Sequence, residues 1–154
     1  MTGVTQDKKG ESYKMNRWDL IKQIENYCPY NEQEETDRRL ILKCLREEED
    51  IFDRGNCLAH MTASAWVINP GRTKVLMVYH NIYKSWSWPG GHADNEQDLL
   101  GVAVREVKEE SGLTRVRPVS EDICSLEDSL RASSEPWMCQ RIYAKLNGKL
   151  KRQG

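Results

Sequence analysis

Long apolar runs are missing from this chain of 154 residues. No stretch approaches the roughly 18 apolar residues that a transmembrane helix needs. The N-terminal residues also lack the basic and then apolar pattern of a secretory signal. We therefore expect neither a membrane span nor export, and the predicted location is the cytoplasm.

The chain also has little net charge, no regularly spaced cysteines and a single phenylalanine. The net charge is −1, so the overall charge gives no support for specific binding to a polyanion such as a nucleic acid. The five cysteines are odd in number and show no CxxC spacing, which favours reduced thiols over disulfides or a zinc site. With one Phe, the five Trp and six Tyr supply the aromatic volume of a modest single core.

The organisation predicted along the chain is one main domain with an N-terminal extension. Residues 1–15 are polar and aperiodic, so we expect a disordered leader. Two amphipathic helices are predicted at Asn16–Tyr27 and Asn31–Asp53. They form a helical extension, residues 16–56, which offers a surface for a homodimer. The main domain is predicted over residues 57–154, with residues 129–154 atypical.

Periodicity and turn residues predict the elements of the main domain. They are strands at Ala59–Ile68, Lys74–His80, Arg115–Ser120 and Ile123–Leu126, a loop at Asn81–Gly91, and a helix capped by Asp98 that ends near Ser111. On that helix one apolar stripe is predicted to face the core, made of Leu100, Ala103, Val104 and Val107.

The same helix carries an acidic cluster. Glu106, Glu109 and Glu110 are spaced i, i+3 and i+4, so all three carboxylates share one helix face. Like charges at this spacing weaken a helix by a few tenths of a kcal/mol, a cost that a bound cation offsets. Oxygen ligands alone favour a hard cation, Mg²⁺ or Mn²⁺. The alternative interpretation is a solvated acidic face.

The residues around this cluster resemble the signature of the Nudix hydrolases. From Gly91 the signature runs through Arg105 to Leu113 (REVKEESGL), and one specified position departs from it, because Gln97 stands where the signature has Glu. The resemblance covers roughly Asn16–Leu126. Over this range the chain is similar to bacterial Nudix proteins of unassigned substrate. It implies a mixed sheet sandwiched between helices, of the α+β or α/β class. It also implies hydrolysis of a nucleoside diphosphate linked to another moiety.

The resemblance further implies roles for individual residues. Glu109 and Glu110 would bind Mg²⁺ or Mn²⁺, with the backbone carbonyl of Gly91 as a further ligand. Glu106 would be a metal ligand or the catalytic base, and Arg105 would orient the carboxylates. In this chemistry the metal neutralises phosphate oxygens and activates water, while a carboxylate accepts the proton.

Gln97 puts the completeness of this site in doubt. A neutral amide cannot neutralise a cation or take a proton. Glu96 lies about 100° further round a helix and does not replace it directly. If the position acts around the metal ligands, its loss costs about 10- to 100-fold in affinity or activity.

Other residues near the glycine pair are weaker candidates. Asp94 offers an additional acid, and His92 is placed to touch a phosphate. Trp86 and Trp88 offer base stacking, although a Trp beside a tight turn more often packs. His60 and His80 are expected to have core or surface roles.

The end of the chain is shorter than the resemblance requires. After Leu126 only 28 residues remain, against roughly 50 for two strands and a closing helix. We expect residues 129–154 to pack irregularly, leaving the sheet incomplete. A truncated or frame-shifted gene and a natural short variant are both open. The two functional hypotheses are an active pyrophosphohydrolase and a weak or inactive Nudix-like fragment that binds metal or nucleotide.

Overall fold

The computed structural model describes residues 14–56 and 59–128 in full, and the backbone of residues 138–148. The first two elements are helices, α1 (Arg17–Glu25) and α2 (Glu32–Glu47). Asn16 caps α1 by accepting from the N–H groups of Trp18 and Asp19, and Asn31 caps α2. Both helices of the predicted extension are confirmed, because each begins at a side chain that satisfies free N–H groups.

The second helix ends earlier than predicted, at Glu47 instead of Asp53. The reason is that Ile51 and Phe52 leave the helical path and are buried in the core. The guanidinium of Arg17 donates to the carbonyls of Leu45, Glu48 and Glu49, which the end of the helix leaves without helical partners.

The main domain is a mixed sheet with one helix following its first strands. Its elements are β1 (Ala59–Ile68), β2 (Val75–Leu76), β3 (Val78–His80), β4 (Ser85–Ser87), β5 (Gly90–His92), α3 (Leu99–Ser111), β6 (Val116–Asp128) and β7 (Met138–Gly148). The main sheet runs β2–β1–β7–β6, with β5 also paired to β1. The β1–β7 pair is parallel and the other pairs are antiparallel, while β3 and β4 form a separate hairpin.

Several predicted strands change in detail. Lys74–His80 is divided into β2 and β3, and the predicted loop at Asn81–Gly91 contains β4 and part of β5. These strands have two or three residues, too few for an alternating pattern to show. The two short strands predicted after α3 are one strand, β6, whose register shifts between Pro118 and Ile123.

The C-terminal prediction of irregular packing is wrong for Met138–Gly148. This segment is a strand that lies between β1 and β6, paired from Ala59↔Met138 to Ile68↔Asn147 on one side. Its two partner strands, β1 and β6, lie earlier in the chain, so the pairing does not follow from a local pattern of its own residues. Residues 1–13, 57–58, 129–137 and 149–154 lie outside the described residues, and they include all but the last two residues of the predicted leader, 1–15.

One apolar core joins the helical extension to the sheet. Leu20, Ile41 and Leu45 from the helices belong to the same buried cluster as Met61 of β1 and Val107 of α3. On α3 the buried residues are Leu99, Val102, Ala103 and Val107, while Leu100 and Val104 are only partly buried. The apolar stripe is therefore rotated by about one residue from the predicted one.

A buried carboxylate fastens the helical extension to β6. Glu34 is only 6% exposed. It accepts from the backbone N–H groups of Tyr30 (2.6 Å) and Leu126 (3.0 Å) and from the hydroxyls of Tyr27 (2.7 Å) and Ser125 (3.3 Å). Burial alone would raise the pKa of Glu34, but these donors favour the charged form and lower the pKa below its usual value.

We predict that Glu34→Gln lowers the free energy of unfolding at pH 7 by about 1–3 kcal/mol, since the amide cannot accept from all four donors. A lowered carboxyl pKa stabilises the fold above the pKa of the unfolded chain, and this contribution is lost as the pH falls through the folded pKa. The difference between Glu34→Gln and wild type should therefore shrink towards pH 3. Urea unfolding at pH 7 and pH 3 measures it, with the exposed Glu32→Gln as control. An equal loss at both pH values would contradict the assignment.

Candidate active site

Two glycines allow the sheet and α3 to meet at the candidate site. In β5, Gly91 pairs with Ala63 and Gly90 pairs with Ser64. A Cβ on Gly90 would lie 2.5 Å from the Ser64 Cβ, and a Cβ on Gly91 would lie 2.5 Å from the carboxyl carbon of Glu106. Only glycine fits at Gly90, where the Cβ would meet the backbone of β1, whereas at Gly91 a Cβ would displace the Glu106 carboxylate. The Glu106 carboxylate therefore lies directly against the Gly91 backbone. Their roles in binding a metal stay a prediction.

Helix α3 presents its carboxylates unequally. Asp98 caps its first turn by accepting from the Gly101 N–H, and Gly112 ends it in the left-handed conformation with φ 71°. Glu106 has a side chain only 17% exposed, whereas the side chain of Glu109 is 62% exposed. Arg105 lies between them, 3.4 Å from the Glu106 carboxylate and 4.0 Å from that of Glu109. Arg105 thus contacts both carboxylates, the contact expected of an orienting residue.

The pKa of Glu110 is raised above its ordinary value. Burial of its carboxyl group raises its pKa, and the charge of Glu106, with a smaller one from Glu109, raises it further. A backbone hydrogen bond from Gly90 and the nearby His80 act in the opposite direction. The glycine pair therefore lies against α3 at Glu106 and influences the pKa of Glu110.

The three carboxylates and the Gly91 carbonyl offer only oxygen donors, which suit a hard cation. A bound cation would also offset the repulsion between the carboxylates. The three carboxylates do not converge, however. Across residues 14–56 and 59–128, no three His, Cys, Asp or Glu side chains come together as a group able to hold a metal ion. Glu109 is the outlying member, since it is largely solvent-exposed beside Arg105.

A second charged pair lies beside the glycine pair. Asp94 accepts from Nε of Arg54 at 2.6 Å and from an η-nitrogen at 2.5 Å, and its backbone has φ 50°. The charge of Arg54 also interacts with Glu106. Asp94, predicted as an additional acid, is therefore paired with a cation. Arg54 was not singled out from the sequence, because 40 residues separate the partners.

Two histidines meet behind this pair. The rings of His60 and His92 lie 5.0 Å apart. Burial and the charge of Arg54 lower the pKa of both, which favours neutral rings. Among the described residues the buried Nδ1 of His92 has no hydrogen-bond partner. The predicted phosphate contact of His92 stays a prediction.

Gln97 faces the helical extension. Its side-chain carbonyl accepts from the backbone N–H of Arg17 at 2.9 Å, at the start of α1. Glu96 accepts from the Asp98 N–H at 3.2 Å and lies 3.6 Å from Lys14. Both side chains have partners outside the carboxylate cluster.

The two tryptophans before the glycine pair differ. Trp86 is 64% exposed and makes an edge contact with Tyr79. Trp88 stacks on Trp66, with ring centroids 4.6 Å apart and planes inclined by 20°. Trp66, on β1, was not singled out from the sequence, because one Trp in a strand resembles any core residue.

Comparison with known proteins identifies the region that carries these features. The family model of the NUDIX domain matches residues 58–153. The matched region holds β1, the glycine pair and the carboxylates of α3. The chain therefore belongs to the Nudix family, whose members are hydrolases that generally use divalent metal ions.

Solved structures similar to this chain include three named for nucleotide substrates. An Ap4A hydrolase of C. elegans is 26% identical, with 57% of this chain and 68% of that chain covered and a TM-score of 0.45. An ADP-ribose pyrophosphatase of Streptococcus suis is 26% identical, with coverage of 61% and 66% and a TM-score of 0.42. A UDP-X diphosphatase is 17% identical, with coverage of 90% and 79% and a TM-score of 0.40.

The chain spans about two thirds of the length of the first two of these proteins. A search of curated proteins finds no match. In the described part of the chain, no helix has the length and apolar content needed to cross a membrane.

The contact between Gly91 and Glu106 gives a direct test of the site. We predict that Gly91→Ala lowers metal affinity and hydrolysis by about 100-fold, because its Cβ must displace the Glu106 carboxylate. Gly71→Ala is the matched control, since its Cβ meets its nearest atoms at 3.6 Å and 3.8 Å, ordinary contact distances. Metal titration and turnover measure both variants. Equal losses for the two would contradict the assigned contact.

Proposed function

We propose that this chain hydrolyses the pyrophosphate bond of a nucleoside diphosphate linked to another moiety, with Mg²⁺ or Mn²⁺ as cofactor. The observation that carries the proposal is the carboxylate of Glu106 held against the backbone of Gly91. It is supported by membership of a hydrolase family. It is supported also by oxygen donors, which suit Mg²⁺ and Mn²⁺ better than softer metals.

Glu106, Glu109, Glu110 and the carbonyl of Gly91 would hold the metal. A bound divalent cation supplies charge neutralisation for phosphate oxygens and makes water more acidic. Glu106 accepts the proton of water or serves as a ligand, since its side chain is far less exposed than that of Glu109. Arg105 orients Glu106 and Glu109 from one position on the helix.

Arg54 adds a cation near the glycine pair, where its charge interacts with Glu106. Its guanidinium is held by two contacts to Asp94, which fixes its direction, and both side chains are about half exposed. A planar guanidinium held in this way is suited to contact a phosphate oxygen. We assign it to binding the diphosphate beside the carboxylates.

A second candidate function is a Nudix-like binder of metal or nucleotide with little activity. The observation that favours it is the outward direction of Glu109 together with the contact of Gln97 to α1. These two positions leave Glu106 and Glu110 as the carboxylates in closest contact with the glycine pair.

We also propose a cytoplasmic location and a homodimer. Cys28, Cys44 and Cys124 are free thiols, which suits a reducing compartment. The extension exposes Trp18 by 68%, and Tyr30, between α1 and α2, by 80%, which suits a contact between copies. No membrane and no specific nucleic-acid partner are included in the proposal.

The test is turnover and metal binding by the full chain with a panel of nucleoside diphosphate derivatives. We predict Mg²⁺- or Mn²⁺-dependent release of a nucleoside monophosphate, and a loss of about 100-fold or more in the double variant Glu109→Gln/Glu110→Gln. The matched control is Glu47→Gln/Glu49→Gln, two exposed acids away from the site with the same change of charge.

The outcomes separate the two functions. Metal binding without turnover by the wild type supports the inactive binder. Equal metal binding by the wild type and the Glu109→Gln/Glu110→Gln variant would overturn the assignment of the metal site, because both assigned ligands would then be dispensable.

A further inference from the structure

A large cavity lies between α2 and the sheet, on residues that the proposed chemistry does not use. Its volume is about 770 Å³, within the size range of small-molecule sites. Its described lining combines an aromatic wall with polar residues of the first half of α2: Trp66, Trp88, Gln33, Glu34, Asp37 and, from the β1–β2 turn, Arg72. It therefore joins an apolar face to a small number of polar groups.

The aromatic wall is the stacked pair of Trp66 and Trp88. Trp88 is half-buried, but Trp66 remains 42% exposed, so the pair is not sealed in the core. A flat ring can stack on an open tryptophan face whatever the chemical identity of that ring. The wall thus favours a planar aromatic ligand.

The polar groups on α2 that line the cavity differ in the hydrogen bonds they can still accept. The carboxylate of Glu34 already accepts from four donors and serves the structure. Asp37 is 7% exposed, and its Oδ1 accepts from the side-chain amide of Gln33 at 2.8 Å. A carboxylate has about four acceptor positions and no donor, so Asp37 can accept further N–H groups but repels carbonyl oxygens.

The cavity and the carboxylate site share one short segment. Trp88 lines the cavity, Gly91 lies against the Glu106 carboxylate, and the backbone of Gly90 interacts with Glu110. Trp88 and Gly91 are three residues apart, so at most about 10 Å of chain separates them. The carbonyl of Pro89 between them accepts from the Ala65 N–H at 2.8 Å, which fixes the segment on β1.

We propose that this cavity receives the nucleobase of the substrate and selects a base with an exocyclic amino group. The base stacks on the tryptophan pair of Trp66 and Trp88, and its amino group donates to Asp37. Adenine, cytosine and guanine each carry an amino group that can donate to the carboxylate, whereas uracil has none and presents carbonyl oxygens. The choice of a nucleotide as ligand rests on the proposed function, while the cavity's preference for an amino-bearing ring rests on its own residues.

The experiment is calorimetric titration of the full chain with AMP and with UMP, in EDTA. Neither probe contains a pyrophosphate bond, so binding is measured apart from turnover. We expect AMP to bind more tightly than UMP. Trp66→Leu should weaken AMP binding by about 5- to 100-fold, the loss expected from one stacking contact, and Trp66→Phe should restore part of it. Trp86→Leu is the control, an exposed Trp outside the cavity lining.

Asp37→Asn tests the selection of the base. It should weaken AMP binding by about 10-fold and leave UMP binding unchanged or stronger, because the asparagine amide can donate to a carbonyl. Glu32→Gln, an exposed acid on the same helix, should change neither. Thermal unfolding of each variant shows whether the fold is retained.

The results separate this inference from the proposed function. The inference is overturned if Trp66→Leu leaves the affinity for AMP unchanged, or if the wild type binds AMP and UMP with equal affinity. An absence of turnover with normal AMP binding overturns the enzyme proposal alone. Loss of AMP binding in Trp66→Leu with recovery in Trp66→Phe supports the cavity as the base site even if the chain is inactive.

Discussion

The close approach of α3 to β5 is the constraint on which the candidate site depends. Gly91 lies against the carboxylate of Glu106, and the backbone of Gly90 interacts with Glu110. Arg105 lies 3.4 Å from the Glu106 carboxylate, and the charge of Arg54 also interacts with Glu106. Repulsion between Glu106 and Glu110 is a local cost to the fold, and clustered acids that bear such a cost are typical of metal sites in hydrolases.

The helical extension is built into the same core and carries its own buried charge. Glu34 joins α2 to the end of β6 through donors from both. This connection forms one side of the cavity, whose other side is the tryptophan pair before the glycine segment. A single stretch of chain, Ser87–Gly91, therefore borders both the proposed base site and the proposed metal site. If the cavity holds the base as proposed, the extension takes part in substrate binding as well as in stability.

The sequence predicted the parts of the site that depend on local chemistry. The cap at Asp98, the left-handed end at Gly112 and the common face of the three carboxylates follow from residues within one helix. The long strand β1 was also predicted to its exact bounds, since ten consecutive residues suit a strand.

The remaining parts depend on contacts that no local pattern shows. Arg54 with Asp94, Trp66 with Trp88 and Gln97 with Arg17 each join residues that lie far apart in the sequence. The strand β7 also escaped prediction, because its pairing with β1 on one edge and β6 on the other comes from the sheet and not from alternation. Sequence patterns therefore indicated the family and the acidic helix. The contacts of each side chain with distant residues could be identified only from the folded structure.

The most direct test of this account is thermal unfolding of the wild type and of Glu110→Gln, in EDTA and in saturating Mn²⁺. The account predicts that Glu110→Gln unfolds at a higher temperature than the wild type in EDTA. Burial and the charge of Glu106 raise the pKa of the Glu110 carboxyl group, so its negative charge destabilises the fold and the variant removes that charge. It also predicts that Mn²⁺ stabilises the wild type by mass action and has little effect on the variant. A lower unfolding temperature for the variant in EDTA, together with the same gain from Mn²⁺ in both proteins, would contradict it.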